Sequence, residues 1–197
     1  MITMYDAINS KYTYKGTDVL KNKLGIKDEE LLKEYETRMV AFKIATISTQ
    51  TLKMDYTPER LKFIHKYLFE DIFYFAGEYR QENITKGNFR FSEFEYIEDN
   101  IKQIFSKINI EEMKKMPFKD FIIRLSYIMT ELNVLHPFRE GNGRTIRELI
   151  REICFDCGYV IDWYEINHDD ILKASIKAVF DETEQIKMLR RSVKKIV

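Results

Sequence analysis

The chain is short of residues that punctuate or staple a fold: seven glycines, three prolines and two cysteines in 197 residues. So little glycine and proline argues against a many-stranded sandwich or a collagen-like repeat, and suits helices. Two cysteines cannot build a disulfide framework. Charge of one sign is also missing, because 32 basic residues are balanced by 32 acidic ones. That balance argues against a dedicated nucleic-acid coat and a polybasic membrane anchor. No apolar run reaches the length of a membrane span, and the opening MITMYDAINSKYTY has no signal-peptide core. Linkers, internal repeats and low-complexity tracts are absent as well. What is present is core material, 45% hydrophobic and 14% aromatic. The expectation is one soluble, cytoplasmic, mostly helical domain over residues 1–197.

Local patterns fill in that outline. From Lys27, the run KDEELLKEYETRMVAFKIATIS places acids before bases, the order a helix dipole favours. Thr57-Pro58-Glu59-Arg60 reads as a helix start, with Thr as N-cap and Pro in the first helical position. Leu61, Ile64, Leu68 and Ile72 follow at helical spacing, so this helix is expected to end near Ala76-Gly77. Apolar–polar alternation around Lys86-Gly87-Asn88 predicts one β-hairpin within residues 79–94. Helices resume over 96–108 and again after Pro117, where Phe121, Leu125, Ile128, Met129, Leu132 and Leu135 form a core-facing stripe. His136-Pro137 stops that helix. The next covers about 142–157, with Gly158 as its left-handed cap. Residues 1–23 read as an extended arm leading to a turn at Gly25. From Val160 a turn precedes one or two helices, the last basic with Lys187, Arg190, Arg191, Lys194 and Lys195. The fold class is all-α with one hairpin.

Chemistry concentrates in residues 136–147, HPFREGNGRTIR. Gly141 and Gly143 flank Asn142 directly ahead of a helix, where flexible backbone can turn several N–H groups toward one point. The helix N-terminus adds positive partial charge, so an anion pocket is implied. Arg144 and Arg147 share one face of the new helix, and Arg151 continues it. Glu140 stands where a carboxylate could hold a hard divalent cation between phosphate oxygens. His136 closes the preceding helix, and a neutral imidazole is the natural general base near pH 7. Base, cradle, metal carboxylate and two arginines together describe nucleotidyl or phosphoryl transfer.

These twelve residues resemble, position for position, the motif of the Fic family, His-x-Phe-x-(Asp/Glu)-Gly-Asn-Gly-Arg-x-x-Arg. The resemblance extends to Ile64-His65-x-x-Leu68-Phe69-x-Asp71-Ile72-Phe73-x-Phe75-Ala76-Gly77-x-x-Arg80, to the flap-like Asn83–Phe91 segment, and to Val160-Ile161-Asp162-Trp163. It implies a helical domain that transfers AMP from Mg-ATP to a hydroxyl of a target protein, with release of pyrophosphate. By that likeness His136 is the base and Phe138 fixes the loop. Glu140 ligates Mg²⁺, while Gly141, Asn142 and Gly143 hold phosphate oxygens. Arg144 and Arg147 take the β- and γ-phosphates, and the hairpin around Lys86 and Gly87 clamps an extended target segment. Gly143 favours AMP transfer over the kinase chemistry of the related Doc toxins, which carry a bulkier residue there.

Many Fic proteins inhibit themselves through Ser/Thr-x-x-x-Glu, whose Glu pairs with the second motif arginine. No Glu in this chain has Ser or Thr four residues before it. The resemblance therefore implies that a small antitoxin supplies the inhibitory helix, or that a C-terminal piece beyond Val197 does. The overall run looks most like Fic toxins paired with antitoxins, whose targets are type II topoisomerases, DNA gyrase or topoisomerase IV. Alternatives are a Fic-fold enzyme that uses another nucleotide or removes AMP, and a non-catalytic binding module. Cys154-x-x-Cys157 has no second pair and reads as structural thiols. His65 and His168 lack a ligand-spaced partner and read as structural too.

Overall fold

A computed structural model describes residues 10–49 and 52–196, and its described part is all-α, with eight α-helices and two small two-stranded sheets. α1 (Glu29–Ile47) starts where the Asp28 side chain accepts from the Leu31 N–H, with Glu29 and Glu30 in the first turn. α2 (Pro58–Phe69) opens on Pro58 and buries Leu61, Ile64, His65, Leu68 and Phe69. It ends at Phe69, earlier than its apolar spacing implies. Ile72 and Phe73 are still buried, but the N-terminal segment claims their backbone. Phe73 bridges Asn22, and the Lys23 N–H donates to the Ile72 carbonyl at 2.8 Å. A strand-like partner supplied by tertiary contact thus overrides the helical period.

The N-terminal segment departs from the expected extended arm in the same way. Among its described residues Thr13 pairs with Leu20, and the Lys21 N–H returns to the Tyr12 carbonyl at 2.7 Å. The chain therefore doubles back, and Tyr12 packs edge-on against Phe75 with centroids 5.3 Å apart. Residues 1–9 of that arm lie outside the described residues. Gly25 turns the chain into α1 with φ of +68°.

The hairpin forms where the alternation places it. β1 (Thr85–Lys86) pairs antiparallel with β2 (Phe89–Arg90) across the Gly87-Asn88 turn, where φ at Gly87 is +57°. A 3-10 turn (Phe94–Tyr96) leads into α3 (Ile97–Phe105), which is followed by the short α4 (Ile110–Met113). α5 (Phe118–Leu135) and α6 (Asn142–Asp156) form the centre. α6 packs on α2 and α5, and α5 is also lined by α3 and the C-terminal helix pair. Phe121, Leu125, Ile128, Met129, Leu132 and Leu135 are essentially inaccessible, which accounts for the predicted stripe on α5.

A second sheet adds to the expected hairpin. β3 (Tyr159–Ile161) pairs with β4 (Val193–Lys195) after α7 (His168–Ala178) and α8 (Thr183–Ser192). The basic run therefore splits: Lys187, Arg190 and Arg191 lie on α8, while Lys194 and Lys195 are in β4. Val193 is buried opposite Ile161, and that long-range pairing ends the helix. No helix among the described residues is long and apolar enough to cross a membrane.

One buried cation joins the hairpin to the centre. Arg80 is 1% exposed, and its Nε donates to the His136 carbonyl at 2.8 Å. Nη1 reaches the Glu82 carbonyl at 2.8 Å, and Nη2 reaches the carbonyls of Leu135 (3.2 Å) and Ser92. The Arg80 N–H adds a bond to the Pro137 carbonyl at 2.8 Å. Arg80→Met should therefore lower unfolding stability by about 3 kcal/mol or more, because several buried carbonyls lose a charged donor. Arg80→Lys should recover little of it, since an ammonium cannot reproduce the planar fork. Urea denaturation of the three proteins measures both effects.

Candidate active site

The site is built on the turn between α5 and α6. Pro137 prevents α5 from continuing, and His136 takes a left-handed conformation with φ 49° and ψ 60°. Side chains then close the loop. Asn142 Nδ2 donates to the Phe138 carbonyl at 2.8 Å, and its Oδ1 accepts from the Phe138 N–H at 2.9 Å. The Thr145 hydroxyl donates to the Gly141 carbonyl at 3.0 Å. Behind the loop, the His65 ring stacks on Phe138 with centroids 3.8 Å apart and planes 7° apart. Gly77 N–H donates to His65 Nδ1 at 2.8 Å, so the ring proton sits on Nε2 and donates to the Glu140 carbonyl at 3.0 Å. Gly141 is required twice over, for its φ of +81° and because a Cβ there would lie 2.3 Å from the Phe69 ring.

His136 presents its imidazole from this turn. Its Nδ1–H donates to the Asn133 carbonyl at 3.1 Å, which places the basic lone pair on Nε2. The ring lies against Phe91, which follows β2, with centroids 3.8 Å apart. Burial lowers its pKa to about 3; the Asn133 carbonyl opposes this, and the charges of Arg80 and Lys86 add to it. The imidazole is therefore neutral at pH 7, the form that accepts a proton. Negative charge arriving nearby would raise that pKa and strengthen the base.

α6 adds two arginines to this turn. Asn142, Gly143 and Arg144 open α6, where the N–H groups have no acceptor in a preceding turn. Arg147 Nη1 lies 3.4 Å from where a Cβ on Gly143 would stand. Among the described residues no carboxylate comes within ion-pair distance of Arg147, although it is half-buried. Burial, with repulsion from Arg144, lowers its pKa to about 10, which still leaves it charged at neutral pH. Arg144 is different. Its Nη2 lies 2.5 Å from Glu36 Oε1 on α1 and 3.5 Å from Glu140 Oε1, and its guanidinium sits over the Phe69 ring. Glu140 Oε1 also accepts from the Gly141 N–H at 2.8 Å. Burial raises the Glu36 carboxyl above the usual range; Arg144 opposes this and Glu140 adds to it.

The turn thus brings His136, Glu140, Gly141, Asn142, Gly143, Arg144 and Arg147 into one neighbourhood, and the hairpin brings Lys86 close enough to act on the His136 charge. Gly87 is at the hairpin tip with open space around it. The Asn142 carboxamide is committed to Phe138, so its backbone N–H is what it offers an anion. Arg151 does not join the cradle; its Nη2 pairs with Glu148 Oε1 at 2.6 Å. Sequence reasoning missed Glu36, which is 108 residues from Arg144, and it assigned His65 no part in the loop. Only the assembled helices show either contact. Cys154 and Cys157 are buried, free thiols, and burial raises both pKa values.

The Fic/DOC family model matches residues 55–154, the stretch that carries α2, the hairpin, α5 and most of α6. This chain belongs to the Fic/DOC family. Protein adenylyltransferase VbhT of Bartonella schoenbuchensis is 34% identical over 188 residues, covering 95% of this chain and 39% of that protein. This Fic chain thus spans well under half the length of VbhT. The probable protein adenylyltransferase Fic of Escherichia coli is 29% identical over 179 residues, 90% of this chain and 88% of that one. Among solved structures, BepC of Bartonella tribocorum with bound AMPPNP superposes with a TM-score of 0.89 at 24% identity, over 94% of this chain and 97% of that chain.

Two measurements test the loop of this Fic domain. Burial holds the pKa of both His65 and His136 near 3, against an ordinary value of 6.5. Between those pH values the unfolded chain binds more protons than the native one, so stability should fall as pH drops from 6.5 toward 3. His65→Gln, which can reproduce one donor and one acceptor, should flatten that dependence in denaturant melts across pH. Gly141→Ala should cost on the order of 2–4 kcal/mol, from left-handed strain and the clash with Phe69.

Proposed function

We propose that this chain is a protein adenylyltransferase: it transfers AMP from ATP to a side-chain hydroxyl of another protein. The observation that supports this most is Arg147, a half-buried cation with no carboxylate partner among the described residues, set over Gly143 at the start of α6. A cation so placed is stabilised by an anionic ligand, and the first-turn N–H groups of α6 point to the same kind of ligand. The adenylyltransferase names of the relatives support the choice of chemistry.

In this reading His136 Nε2 takes the proton of the target hydroxyl. The hydroxyl oxygen then bonds to the α-phosphorus, the bond to the β-phosphate oxygen breaks, and pyrophosphate leaves. The amides of Asn142 and Gly143 stabilise the phosphate oxygens, the Gly141 N–H joins them only on leaving Glu140 Oε1, and Arg144 and Arg147 neutralise the departing charge. Phe91 and the hairpin fix the His136 ring. The Lys86-Gly87 strand edge registers an extended target segment by strand addition.

Glu140 fits a hard divalent cation, because it is an oxygen donor beside the phosphate cradle. No group of three His, Cys, Asp or Glu side chains among the described residues forms a complete metal cage. Mg²⁺ would therefore be held by Glu140 together with the nucleotide, and would supply charge neutralisation there. The same reading makes the chain the toxin of a cytoplasmic toxin–antitoxin pair. A small antitoxin would place a Ser/Thr-x-x-x-Glu helix against Arg147, and the target would be a tyrosine of a type II topoisomerase such as DNA gyrase or topoisomerase IV.

Incubation of the protein with α-labelled ATP, Mg²⁺ and a bacterial lysate tests the activity. Label should enter a protein band with the wild type and fall by on the order of 10²–10⁴-fold with His136→Ala. Equal labelling by both would remove His136 as the base. Arg147→Ala should weaken binding of ATP far more than binding of AMP, which equilibrium dialysis measures.

A further inference from the structure

α1 lies outside residues 55–154, the part matched by the family model, yet it places a carboxylate at the edge of the cradle. Glu36 Oε1 is 2.5 Å from Arg144 Nη2, and that same nitrogen is 3.5 Å from Glu140 Oε1. The guanidinium therefore stands between two carboxylates and is held closer to Glu36 than to Glu140. Glu36 is mostly buried, so water screens this contact weakly. Phe69 lies against the guanidinium with 4.9 Å from ring centroid to Cζ, which further restricts where Arg144 can go. The two motif arginines are thus unequal: Arg147 lacks a carboxylate partner among the described residues, and Arg144 is already neutralised.

We propose that Glu36 is a positioning residue that acts through Arg144 and sets how tightly the cradle grips a polyphosphate tail. This rests on the reading of the cradle as a polyphosphate site. Glu36 occupies Nη2 of the Arg144 fork, so phosphate oxygens gain that arm, and with it the full fork, only by displacing Glu36, and the carboxylate thereby weakens the hold on the tail. That tail is also the leaving group, and the same competition promotes release of pyrophosphate after transfer. Because Glu36 belongs to α1 and not to the loop, it can be altered without touching the backbone that carries the phosphate-binding amides.

The test is calorimetric binding of inorganic pyrophosphate, ADP and AMP in EDTA. Glu36→Gln keeps the size of the side chain and a hydrogen-bond acceptor for Arg144 while removing the charge. It should tighten pyrophosphate and ADP by about three- to tenfold, the scale of one partly screened charge contact, and leave AMP unchanged. Glu36→Asp, which keeps the charge, should bind pyrophosphate like the wild type or within about twofold of it. In an Arg144→Gln background, Glu36→Gln should change nothing. Unchanged or weaker pyrophosphate binding by Glu36→Gln overturns the proposal, as does the same tightening without Arg144. Loss of AMP binding in both Glu36 variants would make Glu36 a structural residue and overturn it too. If Arg144→Gln alone leaves pyrophosphate binding intact, the reading of the cradle falls and this proposal with it. If Arg144→Gln weakens binding and Glu36→Gln has no effect, the proposal alone falls.

Discussion

The Asn142 carboxamide accepts from the Phe138 N–H and donates to the Phe138 carbonyl, closing a ring of backbone and side chain at the start of α6. The loop so closed has left-handed residues at each end, His136 and Gly141. The His136 ring, the Glu140 carboxylate and the first amides of α6 all take their positions from it. His65 braces the loop from α2, with one ring nitrogen toward Gly77 and the other toward Glu140. The ring is buried and fully hydrogen-bonded, which is the condition under which a polar group adds rigidity to a core instead of strain.

The hairpin is coupled to this loop by charge as well as by packing. Arg80 ties the carbonyls of Leu135 and His136 to those of Glu82 and Ser92, the segments that enter and leave the hairpin. Arg139 in the motif also pairs with Glu82 Oε1 at 3.0 Å, and Ser10 donates to the same oxygen at 2.6 Å. Phe91 then rests on the His136 ring. A segment with only two short strands, too small to be stable alone, is thereby held in a fixed relation to the proposed base.

Electrostatics separate two arginines that the motif presents as a pair. Arg144 has Glu36 and Glu140 beside it, whereas Arg147 faces Gly143 and the N-terminus of α6. Burial and the charge of Arg144 weaken the charged form of Arg147, and Tyr164 opposes them. The neutral imidazole of His136 follows the same logic, since burial beside Arg80 and Lys86 disfavours its protonation until negative charge arrives.

Local pattern was enough to determine much of this protein. The Thr57-Pro58 start, the stripe from Phe121 to Leu135, the stop at His136-Pro137 and the Gly87 turn each follow from interactions within a few residues, and the structure has them all. The spacing of residues 136–147 likewise placed His136, Glu140 and the two arginines on a helix-entry turn, because that turn is itself local. Tertiary structure decided what depended on distant partners. α2 stops at Phe69 because Asn22 and Lys23 take the backbone of Phe73 and Ile72, and β4 forms because Val193 meets Ile161. Glu36 reaches Arg144 across 108 residues, and His65 finds Phe138 only when α2 packs on α6. Short-range sterics and hydrogen bonding are written in the order of residues, whereas burial and long-range charge pairing exist only once the helices have met.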